Sequence, residues 1–154
     1  MDKNAVDFLL RANKAAYAGK GAEAYSSRPS SHDFHYEDGT LKYIDTYLGR
    51  TKFSGETALW EGDAPFWSIN YVGRIVSDNF SDDFLRETYD FLKEVLLLAP
   101  KEYPYRGPSE YANGDYSYKC TVKGDIDWFY GYEQIFFRDE MVFECAFHGG
   151  DIAQ

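Results

Sequence analysis

Residues that cross-link a fold or hold a metal are scarce in this 154-residue chain, which has two cysteines and three histidines. It contains no CxxC or HExxH motif, and His32 and His35 are three apart on an extended segment, where side chains point to opposite faces. We therefore expect no bound metal. Cys120 and Cys145 lie in apolar, strand-like stretches, which favours buried free thiols in a reducing compartment; a single disulfide is the alternative.

Positive charge, long apolar runs and nucleotide-binding loops are also lacking. Lys and Arg number 16 against 26 Asp and Glu, a formal net charge of -10, and the resulting field disfavours a nucleic-acid partner. The longest aliphatic run, residues 95–99, is too short to cross a bilayer, and no signal-like segment opens the chain. No GxGxxG, P-loop or GxSxG motif occurs. We expect a cytoplasmic protein with no membrane partner and no cofactor.

Aromatic residues, by contrast, make up 19% of the chain, and many recur in two similar stretches. Residues 36–53 align with residues 111–128 at an offset of 75, and residues 55–73 align with residues 131–149 at an offset of 76. The shared positions are glycines at predicted turns and large apolar residues that alternate along predicted strands. We interpret this pattern as an internal duplication. The alternative is that two Tyr- and Gly-rich meanders look alike through composition.

Each of the two stretches follows a predicted helix. Asn4 can cap the first helix, and Ser81 can cap the second, which stops at Pro100. The pairs Asp38-Gly39 and Asn113-Gly114 are hairpin signals that mark the first turn of each stretch. The sequence therefore predicts a helix followed by an antiparallel meander, twice.

The predicted fold class is α+β in a single domain of residues 1–154. Pseudo-repeat 1 covers about residues 4–75 and pseudo-repeat 2 about residues 81–150, each with one helix and a four-stranded antiparallel meander. Two such sheets must bury their aromatic faces against each other or against the helices. We therefore expect two sheets that share one core.

Asp45 is the most informative difference between the two stretches. It lies on the predicted inward face of its strand, at the position that Cys120 occupies in the second stretch. A carboxylate on a buried aromatic surface loses hydration, which raises its pKa unless a hydrogen bond or a cation compensates, and such residues are candidates for functional sites. The structural alternative is that Asp45 accepts hydrogen bonds from Tyr hydroxyls or pairs with a buried arginine.

An Arg- and Pro-containing segment precedes each predicted meander. Arg28 and Arg106 can recognise a carboxylate or phosphate, or can pair with an acid such as Asp45 or Glu133 and hold the segment down. His148 precedes two glycines that leave the backbone open to close approach, and its imidazole can act as acid, base or ligand. An exposed turn histidine is the alternative.

Several segments resemble a bacterial domain family of unknown function: SSRPSSHDFHY, YIDTYLG, FSGETALW, FWSINYVGR, EYPYRGPSEYANGDYSY, WFYGYEQIFF and FECAFHGG. Members of that family look like small stand-alone proteins or occur C-terminal to helix-turn-helix (XRE-type) repressor domains. The resemblance extends from about Phe8 to Gly150. It implies a sensing role, because a domain attached to a repressor usually binds the signal, although this chain shows no DNA-binding segment.

The leading hypothesis is a sensor-like domain that binds a small molecule in an aromatic pocket, with Arg28 or Arg106 at its mouth. The candidate ligand-binding residues are Arg28, Asp45, Tyr47, Trp67, Tyr71, Arg106, Tyr118, Trp128 and His148. One alternative is a small hydrolase or isomerase that uses Asp45, Glu56 or His148 as acid or base. Another is a structural module whose exposed aromatic residues form a homodimer or bind a partner.

Overall fold

The computed structural model describes residues 1–76 and 80–153. Within these ranges the chain forms two α-helices and eight β-strands. In chain order they are α1 (Lys3–Ala15), β1 (His32–Asp38), β2 (Leu41–Gly49), β3 (Lys52–Glu61), β4 (Ala64–Ile75), α2 (Asp82–Leu96), β5 (Glu110–Asn113), β6 (Tyr116–Asp125), β7 (Trp128–Phe137) and β8 (Glu140–Asp151).

Both helices begin where a side chain accepts a hydrogen bond from a free backbone N–H group. Ser81 caps α2, as expected, by accepting from the N–H of Phe84 at 3.2 Å. The cap of α1 is Asp2, which accepts from the N–H of Ala5 at 2.8 Å, so the prediction of Asn4 is wrong. Asp2 combines the capping bond with a favourable charge at the positive end of the helix dipole. Neither helix in the described ranges is long and apolar enough to span a membrane.

The eight strands form one antiparallel sheet in the order β1-β2-β3-β4-β8-β7-β6-β5. The prediction of two sheets that share one core, each from a repeated helix-plus-four-strand unit, is therefore wrong. β4 and β8 pair directly, from Trp67 opposite Asp151 to Ile75 opposite Phe143. Each strand would otherwise present a row of unpaired N–H and C=O groups at a sheet edge, and their pairing satisfies both rows.

Both helices pack on one face of the sheet, which we call the inner face. Phe8 of α1 contacts Tyr36 of β1, and Phe91 of α2 stacks on Tyr116 of β6, with ring centroids 5.6 and 5.1 Å apart. The apolar core lies between this face and the helices and includes the fully buried Trp67. Because side chains alternate along a strand, every second residue points to the opposite, outer face.

Both cysteines are free and buried, Cys120 on β6 and Cys145 on β8. Glu133 of β7 is paired with Cys120 on one side and with Cys145 on the other. Two inter-strand spacings separate the cysteine backbones by about 10 Å, and a disulfide joins Cα atoms no more than about 7 Å apart. The expectation of free thiols is confirmed, because the intervening strand keeps the two sulfur atoms apart.

Candidate functional site

A cavity of about 390 Å³ lies between the inner face of strands β1–β4 and the helices. Seven aromatic rings line it: Tyr17, Tyr43, Tyr47, Phe53, Tyr71, Tyr89 and Tyr105. Besides the tyrosine hydroxyls, the charged and hydrogen-bonding side chains among the described lining residues are Asn13, His32, Asp45, Arg50, Thr57, Lys93 and Arg106. Asp45 is the single acid in this lining, so the cavity combines an aromatic wall with one carboxylate.

Asp45 reaches the cavity from the middle of β2, and only 5% of the residue is exposed. Its cross-strand neighbour on β3 is Thr57, whose hydroxyl donates to Asp45 Oδ1 at 2.7 Å. The Tyr71 hydroxyl donates to the same oxygen, also at 2.7 Å. Both hydrogen bonds that the described side chains make to this carboxylate therefore go to Oδ1, which leaves Oδ2 for another donor.

Gly55 allows Tyr71 to reach Asp45 across a whole strand. Gly55 on β3 is paired with Tyr47 on one side and with Tyr71 on the other. A Cβ atom at this position would lie 2.6 Å from the Tyr71 hydroxyl oxygen and 2.6 Å from the Tyr47 Cβ atom, both impossibly close. The absent side chain therefore provides the space in which the Tyr71 ring lies over β3.

The electrostatic environment of Asp45 is that of a desolvated acid without a paired cation. Burial raises the pKa of Asp45, and hydrogen bonds from Tyr71 and Thr57, together with the charge of Arg106, offset only part of this effect. The ion pairs formed by the described residues do not include Asp45. Two neutral hydroxyl groups are weaker partners for a carboxylate than a cation is. The direction of the pKa is therefore the expected one, and the structural alternative, a hydrogen bond from a Tyr hydroxyl, is also present through Tyr71.

Arg106 also lines the cavity, but its charge is already paired. The Arg106 Nε atom donates to Glu133 Oε2 at 3.0 Å, and Nη2 donates to Oε1 of the same carboxylate. The Tyr118 hydroxyl donates to Glu133 Oε2 at 2.6 Å. Glu133 is fully buried and Arg106 is 9% exposed. The structural alternative for Arg106, a salt bridge that holds its segment down, is therefore what the molecule contains.

Basic side chains mark the opening of the cavity to solvent. His32 stacks on Tyr47 with ring centroids 4.8 Å apart, and its Nδ1 atom lies 3.1 Å from the Glu23 carboxylate. The Arg50 guanidinium pairs with an exposed acid of α2 at 3.0 Å. The Lys93 Nζ atom lies over an aromatic ring of the cavity wall, 4.7 Å from its centroid. The charge of Arg50 is thus compensated by a neighbouring acid, and the His32 ring has a carboxylate beside it.

Four of the predicted site residues line the cavity: Asp45, Tyr47, Tyr71 and Arg106. The other five lie elsewhere.

Arg28 donates to the Thr46 hydroxyl at 2.9 Å, on the outer side of β2. Trp67 is fully buried in the core, where its Nε1 atom donates to the carbonyl oxygen of Ile126. The Tyr118 hydroxyl is bonded to Glu133. These three side chains therefore support the scaffold and do not contact the cavity.

Trp128 and His148 are exposed on the outer face. Their neighbours Phe129 and Phe147 point inward and are buried, so strand alternation turns Trp128 and His148 away from the cavity. The prediction that these two residues belong to the pocket of Asp45 is wrong.

The candidate acid–base residues are also on different faces. Asp45 is paired with Thr57, so Glu56 beside it points to the outer face. Glu56 is paired with Asn70, and Asn70 with His148, which places both Glu56 and His148 on that face. Neither residue shares a cavity with Asp45. No group of three or more His, Cys, Asp or Glu side chains in the described ranges could hold a metal ion.

The site residues predicted from the sequence do not include His32, Thr57, Tyr89 or Lys93, all of which line the cavity. Thr57 could have been found from the turn at Gly49, because the hairpin register pairs it with Asp45. Tyr89 and Lys93 are four residues apart on one stripe of α2, a spacing that is visible in the sequence. His32 and His35 do point to opposite faces, as expected, and the inward direction of His32 brings it to the cavity.

The chain was also compared with known proteins. A family model described as a domain of unknown function (DUF5680) matches residues 45–152, a segment that runs from Asp45 itself to the residue after β8. No curated protein and no solved structure matches the chain.

Proposed function

Because the chain belongs to the DUF5680 family, whose domains are of unknown function, we propose a function from its cavity: it binds a small molecule between its helices and the inner face of its sheet. The supporting observation is Asp45, a buried carboxylate that opens on an aromatic cavity and has only hydroxyl partners.

A purely structural role explains Asp45 less well than a binding role does. An acid that only supports a fold is usually saturated with donors or paired with a cation, because an unpaired buried charge destabilises the protein. Asp45 has neither an ion pair nor a hydrogen bond to Oδ2 from the described side chains. A ligand that donates to Oδ2 would complete its coordination.

The dimensions of the cavity support the same proposal. Its volume of about 390 Å³ falls in the range of small-molecule sites, which are mostly apolar and carry a few converging polar groups. The seven aromatic rings and the single described carboxylate of the lining match that description.

A thermal-shift screen against a metabolite library tests the proposal. A ligand present at 100 times its Kd should stabilise the native protein by about 2.7 kcal/mol. Asp45→Asn should remove most of this stabilisation. The matched control is Asp139→Asn, which removes the same charge from an exposed turn where φ is 69°, a conformation that Asn tolerates. A screen in which no compound shifts the melting temperature would reject ligand binding.

The proposal extends to a sensing role in the cytoplasm. It is supported by the resemblance to bacterial domains that occur C-terminal to XRE-type repressor domains, and by two free thiols, which are typical of a reducing compartment. In that role the ligand would be the signal, and a separate DNA-binding protein would supply the response.

A second candidate function is self-association through the outer face. Trp128 is 78% exposed and Tyr130 55%, both on β7, and Val72 is 58% exposed on β4, which β8 separates from β7. Exposed apolar groups of this kind often mark interfaces. Light scattering across protein concentrations distinguishes the two candidates, because a monomer at every concentration excludes a homodimer and leaves the cavity proposal unaffected. The alternative of a hydrolase or isomerase that pairs Asp45 with Glu56 or His148 has less support, since the sheet separates Asp45 from both residues.

A further inference from the structure

We propose that the ligand of the cavity is an organic cation, whose ammonium group binds Asp45 between the surrounding aromatic rings. This inference rests on the ligand-binding function proposed above and specifies the chemical class of the ligand.

The first argument is the charge balance around Asp45. It is the single acid in the described lining, and its partners Thr57 and Tyr71 are neutral. The positive charge that lowers its pKa, that of Arg106, is held by Glu133 through two hydrogen bonds. A bound ammonium group would supply the missing countercharge and a donor for Oδ2, which is the combination that a buried carboxylate needs.

The second argument is the aromatic lining. Seven Tyr and Phe rings surround the cavity, and the negative face of such a ring attracts a cation most strongly where both are shielded from water. The side chain of Lys93 already makes this contact, with its Nζ atom 4.7 Å from the centroid of the Tyr17 ring. The same wall therefore offers a cation a favourable surface on the way to the carboxylate.

The basic groups at the opening do not oppose this proposal. Arg50 pairs with Asp82, so its charge is compensated before a ligand arrives, and the His32 ring lies beside the Glu23 carboxylate. The chain as a whole carries a formal net charge of -10, which raises the local concentration of cations. Lys93 remains as a positive group at the opening, and it would also contact the anionic end of a ligand that carries both charges.

The experiment uses three small probes of the same size and different charge: phenethylamine, 2-phenylethanol and phenylacetate. Their binding to the wild-type protein, to Asp45→Asn and to the control Asp139→Asn is measured by calorimetric titration and by NMR chemical-shift perturbation. We expect the wild type to bind phenethylamine roughly tenfold more tightly than the alcohol. Asp45→Asn should lose this preference and still bind the alcohol, whereas Asp139→Asn should behave like the wild type.

The possible failures are distinguishable. Equal or tighter binding of the alcohol or of phenylacetate by the wild type would overturn the cation inference and leave ligand binding intact. An unchanged preference for the amine in Asp45→Asn would also overturn it, because the selectivity would then arise elsewhere. If no probe and no metabolite binds, the proposed function fails together with the inference. Amide proton dispersion in the same NMR spectra shows whether each variant is folded.

Discussion

Replacing Asp45 by Asn should stabilise the unliganded protein at neutral pH. Asn keeps an oxygen that accepts the hydrogen bonds of Thr57 and Tyr71, and it replaces the charged Oδ2 atom by a neutral amide group. The substitution therefore removes the desolvation of a charge and preserves the hydrogen bonds. A substitution that removes a destabilising group from a functional site typically raises the free energy of unfolding by about 0.5–2 kcal/mol. At this chain length each kcal/mol raises the melting temperature by about 2–4 °C.

The pH dependence of this gain follows from the raised pKa of Asp45 in the folded protein. Below the unfolded pKa of about 3.9, the carboxyl group is protonated in both states and contributes no penalty. As the pH rises through that value and towards the higher folded pKa, the unfolded chain releases the proton first, so the wild type loses stability. The advantage of Asp45→Asn should therefore be absent in acid, grow through this window and stay constant at higher pH.

Urea unfolding followed by circular dichroism, at a series of pH values from acid to neutral, measures this difference. Asp139→Asn is the matched control and should leave the free energy of unfolding within about 0.5 kcal/mol of the wild type. If Asp45→Asn instead destabilises the protein at every pH, the charge of Asp45 supports the fold and the reasoning from desolvation is refuted. If Asp45→Asn raises the free energy of unfolding by the same amount at every pH, burial of the charge is not the cause of the stabilisation.

Three further changes test the scaffold around the cavity. Glu133→Gln leaves the buried Arg106 charge without its partner and should lower the free energy of unfolding by about 3–5 kcal/mol. Urea unfolding measures this change, and Glu140→Gln at an exposed position is the control. Gly55→Ala places a Cβ atom against the Tyr71 hydroxyl and should cost about 1–3 kcal/mol, whereas Ser54→Ala beside it should be neutral in the same assay. Both thiols should react with a thiol reagent only after unfolding, because both are buried; rapid labelling of the native protein would contradict the register of β6, β7 and β8.

The part of the site that the sequence could predict depends on strand alternation. The period of two along β2 was enough to place Asp45 on the buried face, and the residue is 5% exposed. The same period explains why His148, next to the buried Phe147, lies on the outer side of its strand. Such predictions need only the local chain direction, because a residue and its second neighbour share a face whichever strand lies beside them.

The pairing of β4 with β8 could not be predicted in the same way. The hairpins that build each meander are set by short turns, and these turns are visible in the sequence. β4 and β8, the last strands of the two meanders, are separated in the chain by α2 and three further strands. The alternation of apolar residues along them does not indicate whether the two strands pair in one sheet or lie in two stacked sheets. Trp128 directly precedes the inward-facing Phe129, so strand alternation alone places Trp128 on the outer face and argues against a position in the pocket.

The strongest support for a functional Asp45 comes from comparison with the other buried acid of the inner face. Glu133 accepts two hydrogen bonds from Arg106 and a third from Tyr118. Its charge is therefore paired with a cation, and both of its oxygens have donors within the protein. Asp45 lies in the same layer, yet it has two neutral donors on one oxygen and a cavity beside it. The contrast between these two carboxylates therefore supports the proposal that a ligand completes the coordination of Asp45.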